Sequence, residues 1–494
     1  MVFSSLLFVF AFLVLSYGSY LLVSIPYILP KSRGEDKQIL PSRRKKMINA
    51  QNIVLLVSSL IFYTWGGPPL VLLLALMTFI CYAGAIAIEK QEDDRSKNIF
   101  CWVICLSALS LLFVFKYAGF TISTFQSIFG LSGEIVSIAL PIGISFYTFQ
   151  LISYVIDVKR GEVPAERKFW VLLLYASLFH QCIAGPIVRY ADVNNDIHNR
   201  RVSLEETSRG FMRFGVGLAK KAILANGCAA IADSLIVLDA ERLASTPSLG
   251  IILGMFCYML QIYLDFSAYS DMAIGMGLMI GFHYKENFNY PYVADSVTDF
   301  WRRWHISLSS FFRDYIYIPL GGNRVGIPRQ IINLFVVWIC TGFWHGASWN
   351  YVLWGLYYLG FLLLEKFVIK PKKDPKIAVR IPRTLITLVI VFFGWMLFRF
   401  EDLSMLWAAL KGMFSLPITN AAVNSKIIEN IFFIIACSIA CLPVVPTLNS
   451  LLRRSKIGGA VADTIQALSP IVLIILAAFA LAGDTYNPFL YFQF

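Results

Sequence analysis

Long apolar runs alternate with short polar or basic stretches from one end of the chain to the other. The first run, Val2 to Leu29, is followed by a stretch holding Lys31, Arg33, Lys37, Arg43, Arg44, Lys45 and Lys46. Runs of about 20 residues, the length a helix needs to cross ~30 Å of hydrocarbon, follow at 47–65, 69–88 and 99–119. Gly66-Gly67-Pro68-Pro69 separates the first two of these, and the charged stretch Glu89 to Lys97 separates the last two. Further apolar segments lie near 138–156, 169–190, 210–235, 247–281, 330–345, 349–369, 382–400, 427–447 and 464–482. Lipid offers no hydrogen bonds to an open backbone, so runs of this kind are predicted helices. The expected fold is all-α: a polytopic membrane bundle of about 10–13 spans with re-entrant and amphipathic helices. Neither an internal repeat nor a low-complexity segment interrupts it.

The polar stretches set the orientation. The first run has no basic residue before it and a basic cluster after it, the reverse of a cleavable leader. It reads as a retained span with its N-terminus outside and the cluster in the cytoplasm. Basic residues between Lys366 and Arg383, and from Arg453 to Lys456, mark two more cytoplasmic connections. Of the 494 residues 58% are hydrophobic and only 15% charged, against about 25% charged in soluble domains. Most of the surface must therefore face lipid. The net charge of +12, from 42 Lys and Arg against 30 Asp and Glu, sits between the spans, as expected beside anionic lipid. No nucleic-acid partner is expected. The nine cysteines lie mostly in apolar runs and form no Cys-x-x-Cys pair, so neither disulfides nor a metal site is expected. The chain reads as one membrane domain over 1–494, with N-terminal spans over 1–135, a catalytic core over 136–370 and C-terminal spans over 371–494.

The centre carries the candidate chemistry. Segment 169–190 holds His180, Gln181, Gly185, Pro186 and Arg189, and 257–281 holds two aspartates and many glycines. Polar, irregular backbone at membrane depth survives where protein buries it or where it lines a cavity. Of the five histidines (His180, His198, His283, His305 and His345), His345 follows the apolar run Ile331 to Cys340 inside Thr341-Gly342-Phe343-Trp344-His345-Gly346-Ala347-Ser348. It sits at a predicted break between two helices, with Ser348 as N-cap of the second. An ionisable residue inside a span is a functional candidate, and a neutral imidazole accepts a proton near pH 7. A histidine that only ties two spans together is the alternative. His305 falls in Asp299 to Tyr315, where helical spacing puts Trp301, His305, Leu308 and Phe312 on one face and Arg303, Ser307, Ser310 and Asp314 on another. That pattern predicts an interfacial amphipathic helix. Asp265 and Asp271 end an apolar run and need partners, which Arg302, Arg303, Arg189 or a histidine would supply. For Asp271 a structural ion pair is expected. Zinc, Walker and Ser/His/Asp signatures are absent from the sequence.

These residues coincide with landmarks of a known family. The chain resembles the membrane-bound O-acyltransferase (MBOAT) family, in particular the branch typified by the membrane subunit of bacterial alginate O-acetylation. The resemblance covers Met1 to Ser5, Leu140 to Gln150, Ser153 to Val158, Ile183 to Tyr190, Asp265 to Gly275, Asn287 to Tyr292, Asp299 to Tyr315, Trp344-His345-Gly346 and Trp395 to Phe400. His180 departs from it, because that branch usually has proline there.

The resemblance implies that His345 is the catalytic histidine and that His305 occupies the second conserved polar position. Asp265, Trp301, Arg302, Arg303 and Trp344 are expected to bind the donor or support the site. It also implies funnels on both membrane faces that meet near His345. No bound cofactor or metal is expected. The expected donor is a cytoplasmic thioester, acetyl-CoA or an acyl carrier protein, whose phosphates Arg302 and Arg303 would hold unless they serve lipid headgroups. The expected acceptor is an extracytoplasmic polysaccharide, alginate-like or peptidoglycan, reached with a lipase-like acetyltransferase partner at a bacterial inner membrane. A transporter or flippase with an intramembrane His/Asp path is the rival from another class, although paired repeats are not evident.

Overall fold

The computed structural model describes residues 3–28, 41–133, 140–181, 185–371, 375–415, 417–483 and 486–488. Lys31, Arg33 and Lys37 of the first basic stretch, residues 138 and 139, and Ile183 and Ala184 lie outside the described residues. Every regular element among the described residues is helical. Eleven helices among the described residues are long and apolar enough to cross a membrane. They run Phe8–Tyr27, Pro41–Thr64, Pro68–Glu89, Asp94–Lys116, Leu204–Leu235, Ser248–Met279, Ile327–His345, Trp349–Ile369, Ile377–Arg399, Ala421–Ala440 and Lys456–Gly483. The protein is a multi-pass, all-α membrane protein.

Local chemistry places the ends of these helices. Pro68 opens one at the first helical position, where a missing N–H costs nothing. Asp93 caps the next by accepting from the Ser96 amide at 2.7 Å. Arg43 to Lys46, read from sequence as loop, instead form the first turns of the helix that begins at Pro41. Two apolar segments are shorter helices than their hydropathy suggested. Ile144–Arg160 starts only after Gly143, whose φ of 73° stops a helix from extending backwards. Phe169–Ser177 ends at Leu178, well before Gly185-Pro186, so among the described residues no single helix runs the length of 169–190.

The described residues form two compact units. One comprises Met1–Phe214 and Asp271–Lys285. Its core packs Leu74, Met77, Cys81, Tyr147, Leu151, Leu172 and Tyr175. Buried Arg200 is held by neutral groups: Nε donates to Tyr20 Oη at 3.2 Å and Nη1 and Nη2 donate to Asn52 and Gln51. The segment after the long helix is pinned by acid groups, with His283 between Asp196 and Glu206 and Lys285 on Asp192.

The other unit comprises Gly215–Ser270 and Glu286–Phe494. Its core is dominated by aromatic side chains, among them Tyr258, Phe300, Trp304, Tyr351, Trp354, Tyr358 and Trp395. Aromatic rings fill this interior because each brings a large apolar area and edge-to-face geometry that fixes its neighbours. All seven sequence-expected site residues, Asp265, Trp301, Arg302, Arg303, His305, Trp344 and His345, lie in this unit.

Candidate active site

The site begins with a hairpin of two helices, Ile327–His345 and Trp349–Leu363. A Cβ on Gly342 would lie 2.5 Å from the Tyr351 carbonyl oxygen, and one on Gly355 would lie 2.5 Å from that of Trp338. Only glycine lets the two backbones touch here, the device by which small residues bring membrane helices together. The hairpin closes at Gly346. Ser348 stands at the N-cap of the second helix as expected, but its side chain makes no capping hydrogen bond.

This closure places His345 on the last residue of the first helix, 6% exposed. Its imidazole meets the edges or faces of Trp344, Trp354 and Phe398, with ring centroids 4.8, 4.9 and 5.1 Å away. Phe398 comes from the helix Ile377–Arg399, so the ring is clasped from a third side.

The continuous amphipathic helix expected over 299–315 is not formed. Val297–Arg303 and Ile306–Phe312 are separate short helices that break at Trp304 and His305. His305 takes the left-handed conformation, φ 44°, which non-glycine residues adopt only when their surroundings impose it. Here the imposition is visible: the Ile306 amide donates to the Asn287 carbonyl at 2.9 Å, leaving the preceding helix to bind a neighbouring strand of loop. The turn aims the buried His305 ring at Trp344, 5.5 Å between centroids. The two histidines that sequence singled out thus flank one indole.

The remaining expected residues divide. Trp301 packs edge-on against Trp338, Trp354 and Tyr358 at 5.1, 5.3 and 4.8 Å. The buried indole N–H groups of Trp301 and Trp354 have no hydrogen-bond partner among the described residues, an omission that costs free energy in a finished core. Arg303 is committed to Asp299 at 2.8 Å, one helical turn back, whereas Arg302 is exposed. Glu365 fixes the start of their helix by accepting from the amides of Val297 and Thr298 at 2.7 and 2.8 Å.

Asp265 does not pair with the partners proposed for it. Its carboxylate lies 2.9 Å from the ammonium of Lys221, with 0% and 1% of the side chains exposed. Lys221 stands in a π-helical turn, Lys220–Ala225, of the span Leu204–Leu235, and also donates to the Pro488 carbonyl. The pair was overlooked although Lys220-Lys221 is a visible charge inside an apolar run. Asp271 forms its expected ion pair, with Arg213 at 3.0 Å.

The other three histidines stand elsewhere. His180 binds the Tyr284 hydroxyl at 2.7 Å through Nδ1. His198 meets Glu166 at 3.1 Å, and His283 the two carboxylates already described. Asn287, quoted only as part of a landmark, emerges as a buried partner of His305, 3.2 Å from Nδ1. Among the described residues no group of His, Cys, Asp and Glu is arranged to hold a metal ion.

The geometry can be set beside known proteins. The family model described as the membrane-bound O-acyltransferase family matches residues 168–406, which include both histidines and their aromatic surroundings. The chain is 38% identical to the probable alginate O-acetylase AlgI of Azotobacter vinelandii, over 84% of this chain and 78% of that protein. It is 34% identical to the probable alginate O-acetylase AlgI of Pseudomonas putida, over 100% of both chains. It is 33% identical to the peptidoglycan O-acetyltransferase of Helicobacter pylori, over 73% of each.

Proposed function

The chain belongs to the membrane-bound O-acyltransferase family, and from that membership we propose that it moves an acetyl group from a cytoplasmic thioester across the cell membrane for O-acetylation of a polysaccharide outside. That it is a membrane-embedded O-acyltransferase follows from the family itself. The donor, the direction of transfer and the acceptor are our reading. The observation that carries it is the pair of imidazoles across Trp344, beside two buried indole N–H groups without partners among the described residues.

His345 takes the proton of the accepting hydroxyl as its oxygen adds to the thioester carbonyl. The tetrahedral intermediate then collapses, the C–S bond breaks, and the thiolate recovers that proton from the imidazolium. General base help of this kind contributes about 10²–10⁴ in rate. A carbonyl oxygen lodged against Trp301 or Trp354 would accept the hydrogen bond that those indoles lack and would keep it as charge develops. In the alternative, the His345 nitrogen adds to the thioester carbonyl and the thiolate leaves; the hydroxyl then adds to the acyl-imidazolium, its proton passes to the thiolate, and the C–N bond breaks to release neutral imidazole.

The N-terminus is placed outside and the membrane is taken to be the bacterial inner one, following the basic residues at Arg43 to Lys46 and Arg453 to Lys456. Exposed Arg302 suits the phosphates of acetyl-CoA or of an acyl carrier protein, whereas Arg303 is engaged by Asp299. An extracytoplasmic lipase-like acetyltransferase would complete the reaction on the polymer. Alginate is the favoured acceptor, since alginate O-acetylases are similar over most or all of the chain. The similarity to a peptidoglycan O-acetyltransferase favours peptidoglycan as the second choice.

The test is His345→Ala in cells whose polymer esters are quantified. The variant should insert at the normal level and leave the polymer without esters. Esters at the parental level would remove His345 from the mechanism.

A further inference from the structure

Asn287 faces His305 from the loop that follows the long helix, and both side chains are 2% exposed. Three hydrogen bonds settle which way its amide points. Oδ1 receives the Ser307 backbone N–H at 3.2 Å and the Ser307 hydroxyl at 2.8 Å. Nδ2 donates to the Ser270 hydroxyl at 3.0 Å. The reversed amide would aim an NH₂ at a backbone N–H, two donors face to face, so Oδ1 is fixed as the acceptor. His305 Nδ1 lies 3.2 Å from that same oxygen. Two acceptors there would repel, so Nδ1 carries a hydrogen.

The other nitrogen follows from charge. Among the described residues the His305 ring has hydrogen-bonding neighbours in Asn287 and Ser307 and ring contacts with Phe266, Phe288 and Trp344. A buried imidazolium among them would be uncompensated. A neutral imidazole has one N–H. With it on Nδ1, Nε2 is bare.

We propose that Asn287 is a positioning residue that fixes His305 as the Nδ1–H tautomer and so presents Nε2 as a proton acceptor. This rests on the reading of His305 as part of the acyl-transfer site. In this state Nε2 has no hydrogen to offer a thioester carbonyl. The tautomer gives the ring instead the task of accepting a hydrogen bond from the O–H or S–H group that enters or leaves. The left-handed turn at His305 serves the same end, because the Asn287 carbonyl holds the Ile306 amide while its side chain holds the ring.

The experiment uses the full chain in lipid nanodiscs with ¹⁵N-labelled histidine, resonances assigned by single His→Gln variants. In the parent, His305 should show a protonated Nδ1 and an unprotonated Nε2. Asn287→Asp keeps the acceptor and should keep that pattern and at least about a tenth of kcat, and the acid limb of its pH profile should move to higher pH because a carboxylate favours the imidazolium. In Asn287→Leu the protonation pattern should relax toward Nε2–H. Its kcat should fall about 10- to 1000-fold at nearly constant KM, as happens when a catalytic histidine is held in the wrong tautomer. A parental His305 protonated at Nε2 overturns the proposal, and so does Asn287→Leu with the parental spectrum and kcat. If no preparation transfers acyl groups, the proposed function fails while the nitrogen spectrum still decides the tautomer.

Discussion

Asp265→Asn should unfold this protein more easily than any change on its lipid-facing surface. The substitution leaves the Lys221 ammonium in the interior and removes the carboxylate 2.9 Å from it. At that separation and an effective dielectric constant of about 20, the lost attraction is about 6 kcal/mol. Each ion also costs several kcal/mol to bring out of water, so the intact pair contributes little net stability. The single variant has the cost without the attraction, and its expected loss is about 3–5 kcal/mol. The double variant Lys221→Met, Asp265→Leu escapes both and should return to within about 1 kcal/mol of the parent. Thermal unfolding in nanodiscs, followed by the fluorescence of the eleven tryptophans, measures all three variants. Asp265→Asn within about 1 kcal/mol of the parent would refute this reasoning. Acyl transfer in the double variant then assigns the role of Asp265. Recovered activity makes the pair structural, and a stable but inactive double variant makes the charged pair part of the working site.

Three further outcomes are expected. Gly342→Ala forces a methyl against the Tyr351 carbonyl and should cost about 1–3 kcal/mol, seen as a lower unfolding midpoint and a fall in acyl transfer. Glu365→Ala strips two amides of their acceptor and should cost about 1.5–3 kcal/mol, the range for hydrogen bonds to a charged group, with faster amide exchange over 297–303. His283 lies on a loop where burial alone would lower its pKa, but the carboxylates of Glu206 and Asp196 outweigh burial and raise it. Its contribution to stability is therefore complete below the ordinary value of about 6.5 and disappears as pH rises through the folded value. The unfolding midpoint should fall over that window, and His283→Gln should flatten the slope.

The spans were legible because lipid permits so few backbone solutions: a run of about 20 apolar residues in a membrane has little choice but to be a helix. The place of His345, buried at the end of a helix, was legible for a related reason, since it follows an apolar run and stands between two glycines that break it. What escaped depends on contacts distant in sequence. Helical periodicity carried the pattern from Trp301 through His305 to Phe312, and nothing local forbade it. The break comes from Asn287, whose carbonyl and side chain lie 18 and more residues away in the chain. Lys221 likewise had no visible reason to seek Asp265, because a π-helical turn redirects a side chain in a way that neither composition nor a 3.6-residue period reveals. Asn287 itself stood in a quoted landmark without a role. Its chemistry appears only when the direction of each of its hydrogen bonds is known.

The tight seam between the two helices of the hairpin has an evolutionary consequence. Backbone contact at Gly342 and Gly355 leaves that wall no freedom to widen, so, with His345 in the role proposed for it, a longer acyl chain cannot be admitted by shifting the hairpin residues beside the ring. Adaptation to bulkier cargo must come from the third side of the ring, where Phe398 stands outside the Gly342 and Gly355 backbone contacts although its ring also packs on Tyr351 and Trp354. Chain-length preference among such proteins should therefore vary with the residue at position 398, while the hairpin stays as it is.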